Sequence, residues 1–281
     1  MMKTGKIAFQ GALGAYSHEA CVNARPNLDP LPCQTFEDVI AAVNSGKADL
    51  GMLPIDNSTY GRVADMHRLL PDSGLHIVDE TFVRVRISLL APEGVALEDI
   101  HTVRAHLVLL PQSAAYLKAH NIEGIAAVDS AGAAEDLARN KTPGEGVLAS
   151  SLAGKIHGLN ILAEGLEDYG HNTTRFVVMG READTTRRGD AGMGMVTSFI
   201  FRVRNIPAAL YKAMGGFATN GVNMTKLESY MVDGSFMATR FYAEIEGHPD
   251  DDGVRRAMEE LQYFTSELIL LGSYPAAQKR H

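Results

Sequence analysis

Strand-sized apolar runs alternate with helix-period segments as far as Met179, which predicts α/β layers built mostly on parallel sheets. A polar stretch at 181–190 then interrupts the pattern, and the residues after it follow a different rhythm, βαββαβ, the order of an α+β ferredoxin-like module. Several early strands end in clusters of Gly and short polar residues. In α/β folds such strand ends, together with helix N-termini, form the places where small molecules bind.

Lys6–Gln10 is the first strand, and Gly11-Ala-Leu-Gly-Ala-Tyr-Ser17 is the turn that leads into a helix. Thr35 caps the next helix, where Phe36, Val39, Ile40 and Val43 recur at i, i+3, i+4 and i+7. Gly46 stops it, and Leu50–Ile55 reads as a buried strand. A helix around Val63, Met66 and Leu70 precedes strand material from His76 to Leu90. Pro111 opens a short helix, Ile125–Val128 is strand-like, and Ala133–Arg139 is helical. Gly146–Ser150 is a strand, Leu152, Ile156 and Leu159 mark a helix, and Phe176–Met179 is the last strand before the polar stretch.

Beyond it, Met195–Val203 is a strand and Pro207 begins a helix carrying Leu210, Met214 and Phe217. Val222–Val232 and Met237–Glu246 form a hairpin around Asp233-Gly234. Asp251 or Asp252 caps a helix with Val254, Met258 and Leu261 on one face, and Glu267–Leu271 closes the module. Such a module buries one sheet face under two helices and is expected to leave the other open to ligand or subunit.

The net charge of −8 opposes binding to nucleic-acid backbones and anionic membranes, and no apolar run is long enough to span a bilayer. The N-terminus lacks the apolar core of a signal peptide, so the cytoplasm is the expected location. Cys21 and Cys33 stand outside any CxxC pair and are expected to be free. No metal is expected, since His18-Glu19 lacks the second histidine of a zinc helix and the remaining histidines are scattered. The chain has no GxSxG elbow either.

Three stretches carry candidate chemistry. Gly11–Glu19 follows a strand and opens a helix, so its backbone N–H groups suit an anion or form a tight structural turn. It lacks the third glycine of a dinucleotide fingerprint, and no nucleotide cofactor is expected. Pro54–Gly61 delivers Asp56, Asn57, Ser58 and Thr59 from the end of a buried strand, as a ligand-orienting cluster or an Asx turn. Asp56 needs a cation or protein partner to avoid repelling an anionic substrate. Asp168–Phe176 supplies Thr173, Thr174 and Arg175; the guanidinium suits a bidentate carboxylate grip or a structural pair with Asp168 or Glu167. His171 is a general acid, a cap or a solvated residue. The chemistry available is hydroxyls, an amide and an arginine, which suits an activated substrate needing charge placement and one proton.

The stretches Gly11–Ala20, Leu53–Gly61, Asn172–Phe176, Gly221–Ser229 and Leu271–Pro275 stand in an order that resembles the prephenate dehydratases with a C-terminal ACT regulatory domain. The resemblance implies a two-lobed catalytic part similar to type II periplasmic binding proteins, followed by the ferredoxin-like ACT domain. It implies a catalytic domain over 1–182, with lobe one at about 1–82 plus 176–180 and lobe two at about 83–170. A linker at 183–193, the ACT domain at 194–276 and a tail at 277–281 complete the division. The implied reaction converts prephenate to phenylpyruvate, water and carbon dioxide in phenylalanine biosynthesis, without a cofactor. Thr174 is implied as the catalytic hydroxyl, with Thr173 and Arg175 in support. Asn57, Ser58, Arg175, Ser17, Tyr16, Gln112 and Phe176 are implied to contact substrate.

Departures from the family pattern bear on the details. Asp56 replaces the usual glutamate, and His106–Ser113 keeps only His106 and Gln112 of a longer lobe-two motif. In the ACT part, Ala208, Ala209, Leu210, Asn223, Glu228 and Ser229 are implied to bind an amino-acid effector, with phenylalanine the expected ligand. Ala208 stands where Gly is commoner, and Tyr230 and Met231 replace Arg and Pro. A homodimer or homotetramer is expected. Arogenate dehydration, a non-catalytic small-acid binder, and an amino-acid-sensing regulator that contacts DNA are the rival readings; the negative charge disfavours the last.

Overall fold

The computed structural model describes residues 4–168, 170–186, 188–189, 194–204, 206–231, 238–277 and 280, with the backbone alone at 238 and 239. The chain begins with β1 (Lys6–Gln10), α1 (Tyr16–Ala24), β2 (Asp29–Cys33), α2 (Phe36–Asn44), β3 (Leu50–Asn57), β4 (Gly61–Arg62), α3 (Ala64–Leu69) and β5 (His76–Arg84). Lobe two adds β6 (Ser88–Ala91), β7 (Thr102–His106), α4 (Ala114–Ala119), β8 (Glu123–Ala127), α5 (Ser130–Asn140), β9 (Glu145–Ala149), α6 (Ser151–His157) and β10 (Asn160–Glu164). Then β11 (Thr173–Gly180) leads to β12 (Met195–Val203), α7 (Ala209–Thr219), β13 (Met224–Met231), β14 (Ala238–Glu246), α8 (Asp252–Phe264) and β15 (Thr265–Pro275). The turn expected at Asp233-Gly234 lies outside the described residues.

The first sheet has the order β2-β1-β3-β11-β5, with β4 on β3. Its β1 runs parallel to both β2 and β3. Local signals fix its helices: the Thr35 side chain accepts from the Asp38 N–H while the Asp38 carboxylate accepts from the Thr35 N–H, a reciprocal cap. On α2, Val39, Ile40, Ala42 and Val43 turn inward. The prolines of β2, Pro30 and Pro32, are tolerated because that strand lies at the sheet edge.

The second sheet has the order β10-β6-β9-β7-β8. It is mixed rather than mostly parallel: β7 is parallel to β8 and β9, but β6 is antiparallel to both β9 and β10. The chain reaches β6 directly from β5 without a crossover helix, so the handed βαβ rule does not set its direction. Apolar residues from both ends of the lobe, from Val85 to Leu166, form one cluster around Ile87, Leu89, Val103 and Leu148. On the other face, Leu90, Val147 and Ala149 pack against Ala133, Ala134 and Leu137 of α5 and Ala153 of α6.

The third sheet, β13-β14-β12-β15, completes the βαββαβ module. Phe199, Phe201, Phe241 and Ala243 face Ala213 and Phe217 of α7 and Val254, Ala257 and Leu261 of α8. The other face was expected to be open, and the structure corrects this: Val196, Ser198, Ile200 and Tyr242 are all buried there. Part of the cover comes from residues 64–80. His67 of α3 lies edge-on to Tyr242 with ring centres 5.0 Å apart. Glu80 Oε1 and Oε2 receive Arg280 Nε and Nη2 at 2.6 and 3.0 Å, and the same Nη2 reaches Glu244 Oε2 at 2.7 Å.

The chain forms two compact units, residues 1–63 with 81–176, and 64–80 with 177–281. The division runs through β5 and β11. No helix among the described residues is long and apolar enough to cross a membrane.

Candidate active site

Within the first unit a cleft of about 300 Å³ opens between the two lobes. Lobe one contributes the β1–α1 turn and Asn57 at the end of β3, lobe two contributes the ends of β7, β8 and β9, and Asn172 and Thr174 enter from the start of β11. Successive side chains of a strand alternate in direction, so Asn172 and Thr174 share the cleft side while Thr173 and Arg175 point away.

Asn57 is the hub. Its Oδ1 accepts from the Thr59 and Tyr60 N–H groups, each at 2.9 Å, an Asx turn that fixes the amide. Its Nδ2 donates to Asn172 Oδ1 at 2.7 Å and to Thr174 Oγ1 at 3.0 Å. Asn172 Nδ2 donates to Gln112 Oε1, and Gln112 Nε2 donates to the Val108 carbonyl at 2.7 Å. Asn57 and Thr174, far apart in sequence, are thus in direct contact inside the cleft.

The lobes meet at further points around it. The Tyr16 hydroxyl donates to the Arg86 carbonyl at 2.9 Å, and the Ser150 hydroxyl donates to the Gly14 carbonyl at 2.5 Å. Tyr60 OH reaches the Val108 carbonyl at 3.3 Å. Burial, with Glu19 and Glu167 nearby, pushes the Tyr16 phenol far above its usual range, so it stays a protonated donor. The Gly14 N–H in turn donates to His18 Nδ1 at 2.9 Å, and the His18 ring stacks on Phe9 of β1.

Among the described residues that line the cleft there is no Lys or Arg. Arg175 is 7% exposed and pairs with Asp56, Nη1 to Oδ2 at 3.2 Å. Asp56 therefore has the cation it required. Asp168 and Glu167, the other partners considered for Arg175, accept instead from the Ala115 and Ile87 N–H groups. Attraction for an anion comes from the helix N-termini of α1 and α5, which open on the cleft through Ala15–Ser17 and Ser130–Ala131. Asp129 partly offsets the second, because its carboxylate already takes the Ala131 and Gly132 N–H groups.

Of the residues expected to contact substrate, Tyr16, Ser17, Asn57, Gln112 and Thr174 line the cleft. Ser58, Thr173, Arg175 and Phe176 do not line it. Ser58 Oγ donates to the His171 carbonyl at 2.7 Å and accepts from the Thr173 N–H at 2.9 Å, holding the β3 loop to β11. Phe176 is 2% exposed, in the core. Sequence reasoning passed over Asn172, Ser130 and Ser150 as contacts, although all three line the cleft, as does His106 of the lobe-two motif. The signal for Asn172 was its spacing of two from Thr174 on one strand; Ser150 closes an apolar strand at the start of a helix. Among the described residues no three His, Cys, Asp or Glu side chains could hold a metal ion.

In the second unit, Ala208 is the N-cap of α7 at φ +58°, with Ala209 and Leu210 in the first turn. The Asn223 carbonyl accepts from the Glu246 N–H. Glu228 pairs with Lys226 Nζ at 3.1 Å on the half-buried side of β13, and Ser229 is exposed on the other side. Burial pushes the Tyr230 phenol up to about 12.

The family pattern described as prephenate dehydratase matches residues 7–184. A bifunctional N-acyl-homoserine lactone acylase/prephenate dehydratase of Komagataeibacter europaeus is 46% identical over 98% of this chain and 97% of its own. A chloroplastic arogenate dehydratase/prephenate dehydratase of Arabidopsis thaliana is 36% identical, covering 96% of this chain and 72% of its own. Among solved structures, GqqA, described as a novel type of quorum quenching acylase, is 46% identical and superposes with a TM-score of 0.91 over 98% of this chain and 99% of its own. A prephenate dehydratase of Arthrobacter aurescens in complex with L-Phe is 27% identical, with a TM-score of 0.88 over 98% of this chain and 91% of its own.

Proposed function

The chain belongs to the prephenate dehydratase family, and from that premise we propose that its cleft converts prephenate to phenylpyruvate, carbon dioxide and water. The observation that carries the reading is the contact between Asn57 and the Thr174 hydroxyl in a cleft fed by two helix N-termini. The C–C bond to the ring carboxylate breaks, and its electron pair moves through the cyclohexadiene ring to expel the hydroxyl on the opposite carbon. Carbon dioxide leaves, the ring becomes aromatic, and the hydroxyl takes a proton to depart as water. Hydroxide is a poor leaving group, so a donor must share its proton as the C–O bond breaks. Thr174 supplies that donor as a hydrogen bond or a relay, since an unassisted threonine is a weak acid. The helix N-termini, with Ser17 and Tyr16 at the mouth of α1, hold the carboxylates. Arg175 acts from behind the strand through Asp56, steadying the loop that presents Asn57.

Purified protein should release carbon dioxide and phenylpyruvate from prephenate in equal amounts, and no turnover of prephenate would sink the reading. Thr174→Ala should lower kcat by about a hundredfold, roughly 3 kcal/mol of transition-state stabilisation. Parallel kinetics with arogenate would show which substrate is preferred. The C-terminal module acts as an ACT regulatory domain that takes phenylalanine through the start of α7 and Glu228 on β13, in a cytoplasmic homodimer or homotetramer. The Arthrobacter relative was solved in complex with L-Phe, which supports phenylalanine as the ligand. Calorimetric titration with phenylalanine tests it, and absence of heat at any concentration would remove the effector.

A second reading has one specific observation in its favour, the 46% identity to the Komagataeibacter bifunctional enzyme. Hydrolysis of an N-acyl-homoserine lactone would add water across the amide, giving a fatty acid and homoserine lactone. Mass spectrometry of such a mixture incubated with the protein detects or excludes both products.

A further inference from the structure

We propose that Gln112 and Asn172 are positioning residues whose amides set the direction of the Thr174 hydroxyl hydrogen; this deepens, and rests on, the dehydratase reading above. A backbone carbonyl can only accept, so the Val108 oxygen forces Gln112 to present its Nε2, 2.7 Å away. Gln112 must then offer Oε1 to Asn172, whose Nδ2 donates to it. That leaves Asn172 Oδ1 as the atom facing Asn57, which donates from Nδ2 at 2.7 Å. The same Nδ2 donates to Thr174 Oγ1 at 3.0 Å.

An independent anchor at the other end agrees. The Thr59 and Tyr60 N–H groups can only donate, so they pin Oδ1 of Asn57 and leave its Nδ2 to face Asn172 and Thr174. Two fixed backbone ends thus impose one polarity on three side-chain amides. Thr174 Oγ1 receives a hydrogen from Asn57, and its own hydrogen is directed to another acceptor on the cleft side, where the leaving hydroxyl would lie. Gln112 is 4% exposed and Asn172 is 2% exposed, so water competes little for these bonds. Gln112 spends one amide hydrogen on Val108 and one Oε1 lone pair on Asn172, which fixes its orientation where its side chain borders the cleft.

The test is the pH dependence of kcat in Gln112→Glu. Ionised, the new carboxylate has no hydrogen for the Val108 carbonyl; protonated, it donates there and still accepts from Asn172, restoring the polarity. The titratable groups nearest by connectivity are Tyr60, whose hydroxyl donates to the same Val108 carbonyl, His106, whose Nδ1 accepts from the Val108 N–H, and Asp168, whose N–H donates to the Gln112 carbonyl. Dividing the variant's profile by the wild-type profile cancels their titration. We expect kcat to fall by about ten- to a hundredfold at pH 8, with KM changed less than about threefold, and the ratio to recover as the pH drops through the carboxyl range. Gln112→Met should show the loss without the recovery. A folded Gln112→Glu with wild-type kcat at pH 8, or a loss independent of pH, overturns the proposal.

Asn172→Asp serves if Gln112→Glu does not fold, because it too sets acceptor against acceptor and should lower kcat. Side-chain amide hydrogen exchange in the wild-type protein requires no variant: slow exchange at Gln112 and Asn172 supports the relay, and exchange at the free-amide rate refutes it. Wild-type protein inert on prephenate would sink the dehydratase reading instead, with the exchange experiment still deciding the relay.

Discussion

Replacing Gly14 with alanine tests how tightly the two lobes close on the cleft. Gly14 has φ +95°, and an added Cβ would lie 2.6 Å from Ala153 Cα and 2.7 Å from Ala153 Cβ on α6. Carbon atoms pack best at about 3.5–4.0 Å, so the overlap is about 1 Å, and part of it is against backbone that no rotamer change can move. The left-handed backbone costs a non-glycine residue about 1–2 kcal/mol and overpacking about 1–3 kcal/mol, together about 2–5 kcal/mol. At roughly 2–4 °C per kcal/mol for a domain of this size, a mid-range cost of about 3 kcal/mol lowers the melting temperature by about 6–12 °C. The natural control is Gly158→Ala, at φ +65° on the end of the same helix with nothing within 4 Å of the new Cβ. It bears the backbone cost alone. Scanning calorimetry compares the two, and kcat/KM should fall in Gly14→Ala because the Ser150 hydrogen bond and the N-terminus of α1 are displaced together. If Gly14→Ala melts no lower than Gly158→Ala, the closure is looser than the packing argument requires.

Three further expectations concern other parts of the chain. Ala208 sits in the left-handed region at φ +58°, so Ala208→Gly should relieve roughly 1 kcal/mol of strain and raise the melting temperature by a few degrees; a fall would count against that strain. Burial pushes the Cys21 thiol up from 9.0 to about 12. The unfolded chain therefore loses this proton first, and Cys21's contribution, complete below pH 9, is lost as the pH rises toward 12, which urea melts across that range would detect. At pH 8 a thiol reagent should modify Cys33 before Cys21 in the native protein and both after denaturation. Arg280→Ala would leave Glu80 and Glu244, 0% and 1% exposed, facing each other without the guanidinium, at a cost of about 3–5 kcal/mol. An unchanged thermal transition in that variant would show that the clamp contributes nothing.

Much of the fold was legible because local signals agreed with the final packing. The period of Phe36–Val43, the Thr35 cap and the Met195–Val203 strand all correspond to elements found at those positions. β2 was not legible, since Pro30 and Pro32 argue against a strand and only its place at a sheet edge permits them. β7 alternates buried Val103 and Ala105 with more exposed neighbours over just five residues, too short a run to stand out. At the site, the hydroxyl and amide chemistry was readable from Asn57 and Thr174. The direction of Arg175 was not, because it depends on strand parity and on Asp56 lying across from it. Gln112 could be placed near the site, but its role follows from the Val108 carbonyl, a backbone atom with no sequence signature.

The path of the main chain has a consequence for synthesis. Asn57 finds Asn172 and Thr174 only 115 and 117 positions later, after all of lobe two has been threaded between them. A ribosome-bound chain that has completed β3 carries half of the reaction centre, and no truncation short of β11 can supply the rest. Contacts of such long sequence separation form late, once loop-closure entropy has been overcome, so the hydroxyl and its partner should meet after each lobe has begun to collapse independently. The nascent polypeptide stays inert until that return strand has emerged.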